Sequence, residues 1–173
     1  GIFDLEQFER EVKGVKLVSL GHTSNLDGVT IPAKEIIKIA HDSGALVFLD
    51  CAQSIPHKKV DVKDLDVDFL AFSGHKMYGP TGTGVLYGKL KLLEKLNPLI
   101  TGGETVSNST YESYEFLPVP EKFEAGLGDY AGIIGLGEAI KYLNNLDFKD
   151  IESHEFELNS YITKEIEKLP KIK

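Results

Sequence analysis

Ser73-Gly74-His75-Lys76 leads into a glycine-rich stretch, Gly79-Pro80-Thr81-Gly82-Thr83-Gly84, and follows Asp50-Cys51-Ala52-Gln53 with room between for a connection, a strand and a turn. These residue types can divide the work of holding an aromatic aldehyde that carries a phosphate. Lys76 offers a primary amine, which condenses with an aldehyde once burial or neighbouring cations lower its pKa. Asp50 offers a carboxylate to keep a proton on a pyridine nitrogen. Gln53 offers a neutral hydrogen-bonding group for a phenolic oxygen that a second carboxylate would repel. The Ser73 hydroxyl and the His75 imidazole supply donors for the phosphate. Together the set reads as a cradle for pyridoxal 5'-phosphate.

Two apolar runs must position it. Asp50 closes Ala45-Leu46-Val47-Phe48-Leu49 and Ser73 closes Asp68-Phe69-Leu70-Ala71-Phe72, both short and bounded by polar or turn residues. Such runs predict parallel strands buried on both faces, with carboxyl ends opening onto one crevice. Val15 to Leu20 predicts a strand feeding a loop with His22 and Asn25. Pro32 stands near the start of a helix whose Ile36, Ile37 and Ala40 recur at helical spacing, and Gly44 caps its end. Gly84 to Gly88 predicts another strand, antiparallel, and Leu90 to Leu96 a short helix. Thr101 to Pro120 reads as a long loop, and Ala131 to Leu143 and Ile151 to Leu169 as two helices. The expected fold is α/β, a mostly parallel sheet with flanking helices.

The motifs resemble the class V aminotransferase family, and within it the group II, selenocysteine lyase-like branch of the cysteine desulfurases. The resemblance rests on Asp50-Cys51-Ala52-Gln53, on His57 to Val62, and on Leu65 through Ser73-Gly74-His75-Lys76 to Gly84. It extends upstream to His22-Thr23-Ser24-Asn25-Leu26-Asp27-Gly28 and downstream to Gly102-Gly103-Glu104, Lys122-Phe123-Glu124-Ala125-Gly126 and Ala131 to Gly137. It implies part of the large domain of a fold type I pyridoxal phosphate enzyme over residues 1–173, with 147–173 a helix leading toward a small domain. It also implies that Asn25 contacts the cofactor and the substrate side of its ring, and that Lys76 acts as general base after a substrate amine displaces it. L-cysteine as substrate, a sulfur-acceptor protein and a homodimer complete that picture. Members of the family are more than twice as long, so a ring-stacking side chain, a carboxylate-gripping arginine and a persulfide-forming cysteine are expected outside these residues. Lys122 and Leu127 stand where the group II pattern has arginine and threonine, which departs from a phosphate contact made across the dimer interface. A class V aminotransferase, a selenocysteine lyase or kynureninase-like enzyme, and a non-catalytic remnant are the alternatives.

The remaining residues narrow the classes. Nineteen Lys and Arg against 27 Asp and Glu give a net charge of −8, without the cationic footprint that nucleic acid requires. No apolar run is long enough to cross a bilayer, and one cysteine makes no disulfide framework, so a cytoplasmic protein is expected. Cys51, at the inner end of a buried strand, reads as a small hydrophobe rather than a nucleophile. His22, His41, His57 and His154 have no zinc-site spacing and read as structural or surface residues. The Gly79 to Gly84 stretch lacks the Gly-Lys-Ser or Gly-Lys-Thr that closes a P-loop.

Overall fold

Parallel pairing of three short apolar strands brings the motif-bearing segments to one edge. The computed structural model describes residues 2–170; residue 1 and residues 171–173, the end of the expected carboxyl-terminal helix, lie outside the described residues. β1 (Leu17–Gly21), β2 (Leu46–Asp50), β3 (Phe69–Ser73) and β4 (Gly84–Gly88) form a sheet in the order β1-β2-β3-β4. β1, β2 and β3 run parallel, and β4 is antiparallel to β3. Gly21 pairs with Asp50 and Asp50 with Ala71, so the three parallel strands finish at one edge.

The helix between β1 and β2 shows how the sequence builds this layer. α2 (Ala33–Asp42) buries Ala33, Ile36, Ile37 and Ala40, one stripe at helical spacing. Each buried isoleucine contributes about 2 kcal/mol of apolar transfer. Gly44 has φ +80°, a left-handed conformation that glycine adopts without a Cβ clash. Gly44 N–H then donates to His41 O at 2.9 Å and Ala45 N–H to Ala40 O at 2.9 Å, the paired bonds of a Schellman cap. This stop turns the chain directly into β2.

Burial on both faces of the sheet, expected from the apolar runs, is not what the structure shows. Val18, Val47, Leu49 and Leu70 face a core with Ala33, Ile37 and Ala40 of α2, Val12 at the end of α1 (Leu5–Glu11), and Leu65 of α3 (Val62–Leu65). The other face holds Leu17 and Leu86, 52 % and 56 % exposed. The helices between these strands all pack on the first face. On the second, Leu93 of α4 (Leu90–Leu93) comes close to Gly88 and Phe69 at the sheet's far end.

The expected loop from Thr101 to Pro120 is also corrected. β5 (Val106–Ser109) and β6 (Tyr114–Phe116) pair as an antiparallel hairpin. Its turn is held by Thr110 Oγ1, which accepts from the backbone of Glu112 and Ser113 at 3.2 and 3.0 Å. The polar strands lack the apolar alternation that would reveal them. α5 (Tyr130–Asn144) starts at Asp129, whose side chain accepts from Gly132 N–H, and buries Leu136, Ala139 and Leu143. α6 (Phe148–Ile166) buries no residue and meets the loop after β2 through a 2.5 Å His57–Glu155 contact.

Opposite the motif edge, Asp68 is 3 % exposed at the entrance to β3. It accepts from Val47 N–H and His41 Nε2, both at 2.8 Å, and pairs with Lys89 at 2.9 Å. Burial alone would raise its pKa, but the hydrogen bonds from His41, Val47 and Lys89 outweigh it and hold the carboxyl below its ordinary value. A depressed pKa contributes stability above the unfolded value and loses it as pH falls through the folded one. Asp68→Asn is therefore expected to cost about 3 kcal/mol near neutral pH in urea unfolding. That deficit should shrink as pH falls below the ordinary aspartate range, where the wild-type carboxyl takes up its proton.

Candidate active site

Lys76 sits in a 3₁₀ turn, Gly74–Met77, that begins as β3 ends. Gly74 and Met77 are buried, while His75 and Lys76 face outward, as the three-residue repeat of such a turn requires. Tyr78 closes the turn at φ 67°, an unusual value for a bulky side chain, and its N–H donates to Gly74 O. Gly79 N–H donates to the same carbonyl at 2.9 Å. The Tyr78 ring packs edge-on against Tyr142 of α5, 5.7 Å between centroids.

Close contact between backbones explains the glycines around this turn. A Cβ on Gly79 would lie 2.9 Å from both Gly74 O and Leu136 Cδ1. A Cβ on Gly135 would lie 2.7 Å from the Pro80 ring. α5 therefore lies against the glycine-rich segment, and Met77, Leu136 and Leu143 form a small second core with Phe72 and Ile55 beside it.

A cavity of about 310 Å³ opens at the strand ends, lined by Gly21, Thr23, Ser24, Asn25, Asp50, Ala52, Gln53 and Lys76. Four of the six residues singled out in the sequence thus meet. Ser73 and His75 are not in that lining. Ser73 ends β3 two residues beyond Ala71, which pairs with Asp50, so strand alternation puts Ser73 on the same sheet face as Asp50. His75 is exposed on the turn. Thr23, Ser24 and Ala52 were not singled out; only their adjacency to Asn25, Asp50 and Gln53 signals them.

Asp50 Oδ1 accepts from Ala52 N–H at 2.9 Å, which fixes the carboxylate over the turn. Among the described residues, Lys76, Asn25 and Gln53 have no side-chain hydrogen bond or ion pair within the chain. The cavity thus presents one free amine, one anchored carboxylate and two free amides. That set fits pyridoxal phosphate: an amine for the aldehyde, an anion for the pyridinium and neutral amides for ring oxygen and substrate.

Cys51 and Lys122 have other work. Cys51 is fully buried, and burial pushes its thiol pKa up to about 11; it stays protonated under the cavity floor. Lys122, 8 % exposed, donates to Glu94 O at 3.0 Å and Leu96 O at 2.8 Å just past α4, with its ammonium 5.0 Å from the Phe123 ring. An ammonium there satisfies carbonyls the helix leaves unpaired. Leu127, where the group II pattern has threonine, is exposed.

A strand-end cavity with a turn lysine, a carboxylate and two amides marks the candidate site of an α/β protein with a mostly parallel sheet. The chain belongs to the class-V aminotransferase family, whose model matches residues 1–173. A probable cysteine desulfurase of Halalkalibacterium halodurans is 46 % identical over 162 residues, 93 % of this chain and 40 % of that protein. The apo cysteine desulfurase of Thermococcus onnurineus NA1 superposes with a TM-score of 0.93 at 40 % identity, covering 96 % of this chain and 42 % of that one. The Escherichia coli cysteine desulfurase CsdA gives a TM-score of 0.86 at 40 % identity over 90 % of this chain and 39 % of that one. The chain thus spans about 40 % of the length of the relatives it matches.

The packing of α5 on the glycine-rich segment is testable with two substitutions of equal helix propensity. Gly137 has open space around it, whereas Gly135 meets Pro80. Gly137→Ala should stabilise by up to about 1 kcal/mol. Gly135→Ala should destabilise by about 1–3 kcal/mol. Urea unfolding of both checks the difference, and equal effects would contradict the contact.

Proposed function

We propose that this chain is the cofactor-binding core of a pyridoxal phosphate-dependent cysteine desulfurase, which converts L-cysteine to L-alanine and passes the sulfur to a thiolate. The observation that carries the reading is the meeting of Lys76, Asp50, Gln53 and Asn25 around one strand-end cavity in a class-V aminotransferase chain. Residues 1–173 are read as part of the large domain, with the segment from 147 leading toward a small one.

When bound, the cofactor supplies an aldehyde that captures an amine and a pyridine ring that accepts electrons from the substrate. Lys76 would hold the aldehyde through Nζ and, once free, would take the substrate α-proton on that same nitrogen. Asp50, already anchored by Ala52 N–H, keeps a proton on the ring nitrogen. Gln53 would donate to the phenolic oxygen, Asn25 would orient the substrate side, and Ser73 and His75 would hold the phosphate. Cys51 is buried and protonated, so it is not the thiolate that accepts sulfur.

The wider assignment follows from the same reading. A homodimer is supported by the exposed apolar side chains of Leu127, Ile133 and Ile134, grouped around the first turns of the helix that packs on the lysine turn. A single cysteine and a net charge of −8 fit a reducing cytoplasm, where the sulfur would go to an acceptor protein for iron–sulfur cluster assembly or thiolation.

Incubation with pyridoxal phosphate should give a yellow protein, and borohydride should fix the adduct to the Lys76 peptide in mass spectrometry. Lys76→Arg should lose the adduct and slow α-proton exchange of L-cysteine by about 10²–10⁴-fold. Attachment at another lysine, or none, overturns the assignment.

A further inference from the structure

The β1–β2 ladder ends at the Gly21–Asp50 pair, and the cavity walls begin just beyond it. Thr23, Ser24 and Asn25 form one wall; Ala52 and Gln53 belong to the other. His22 lies between these walls and the core. Its N–H donates to Asp50 O at 2.8 Å, and its Nδ1 lies 3.0 Å from Ser54 Oγ. Both side chains are buried, Ser54 fully and His22 with 7 % exposed. With the Cys51 contact described next, this is the side-chain hydrogen bonding that joins segment 22–31 to segment 51–58 among the described residues.

One proton arrangement satisfies every contact in the network. With the Ser54 hydroxyl donating to Cys51 O at 3.3 Å, its oxygen accepts from His22 and Nδ1 carries the imidazole hydrogen. Cys51 Sγ, 3.7 Å from the same nitrogen, sits beside that N–H as a weak acceptor. Burial, assisted by the positive charge of Lys58, pushes the His22 pKa down, and the thiol stays protonated. The cluster is neutral, so it can hold the two loops together in the interior without a buried charge to compensate.

We infer that His22 and Ser54 form a clamp that sets the spacing of the two cavity walls, making His22 a positioning residue for Asn25 on one side and for Asp50 and Gln53 on the other. The inference rests on the pyridoxal phosphate reading of the cavity. Neither side chain lines the cavity, so the clamp acts only through the walls it joins. If those walls separate, the amides lose their register with the ring while Lys76, on its own turn, remains able to react.

The test compares variants that keep or move the donor. In His22→Asn the amide nitrogen stands close to the position of Nδ1; in His22→Gln it is carried past it; Ser54→Ala removes the acceptor. Pyridoxal phosphate binding to the protein, read by the visible band, should weaken roughly tenfold in His22→Gln and in Ser54→Ala, the size expected for a buried donor or acceptor losing its partner. His22→Asn should stay within about threefold of wild type, and the double variant His22→Gln/Ser54→Ala should be no weaker than either single one. The pH midpoint of the visible band should shift in the two weakened variants and not in His22→Asn, a readout that a loss of global stability does not move. If His22→Gln fails to fold, Ser54→Ala, which deletes one oxygen, carries the comparison.

Wild-type binding with unchanged affinity and band in Ser54→Ala overturns the clamp and leaves the cofactor site standing. Absence of wild-type binding overturns the cofactor reading instead. The clamp is then judged without cofactor from amide NMR spectra of Ser54→Ala: displaced Thr23, Ser24 and Asn25 resonances support it, and unmoved ones overturn it.

Discussion

The register of three parallel strands is the constraint on which the rest depends. Leu20 pairs with Leu49 and Leu49 with Leu70, so the apolar side chains that face α2 fix where each strand must stop. A slip of one residue would send Val47 and Leu49 to the open face and turn Asp50 into the core. Burial of a few aliphatic side chains thus decides where a carboxylate and a lysine turn emerge. The chemistry is carried by polar residues, but their placement is enforced by apolar ones.

The two ends of the sheet use buried polar groups in opposite ways. At the entrance to β3, Asp68 is charged and surrounded by donors from His41, Lys89 and the Val47 backbone, so its worth depends on pH and on complete pairing. At the exit, His22, Ser54 and Cys51 form a neutral cluster under the cavity. A neutral floor suits a site whose own work is to place charge, because it adds no competing field to the Asp50 carboxylate. The first network secures the fold and the second lies next to the site.

Much of this was legible in the sequence because the signals were local. The Pro32 to Gly44 helix announced itself by apolar spacing and a glycine stop, and the runs ending at Asp50 and Ser73 by uniform apolarity. Asp50, Gln53 and Lys76 stand at or just past strand ends, so their meeting could be anticipated from strand direction, whereas Asn25 was marked by the family resemblance. What stayed hidden was tertiary. The hairpin at Val106–Phe116 is polar and short, with its register set by a Thr110 turn rather than by pattern. The open sheet face could not be read from strands whose apolar runs look alike on both sides, because helix placement decides which side is covered. His22 and Ser54 sit thirty-two residues apart, and nothing in either neighbourhood shows that they touch.

The most direct measurement is a titration of the isotope-labelled protein with pyridoxal phosphate, followed by amide NMR. The account predicts shifts concentrated at Gly21 to Asn25, Asp50 to Gln53 and Ser73 to Lys76, the three strand exits. Shifts centred on α2, on α6 or on the β5–β6 hairpin, with those exits unmoved, would contradict it.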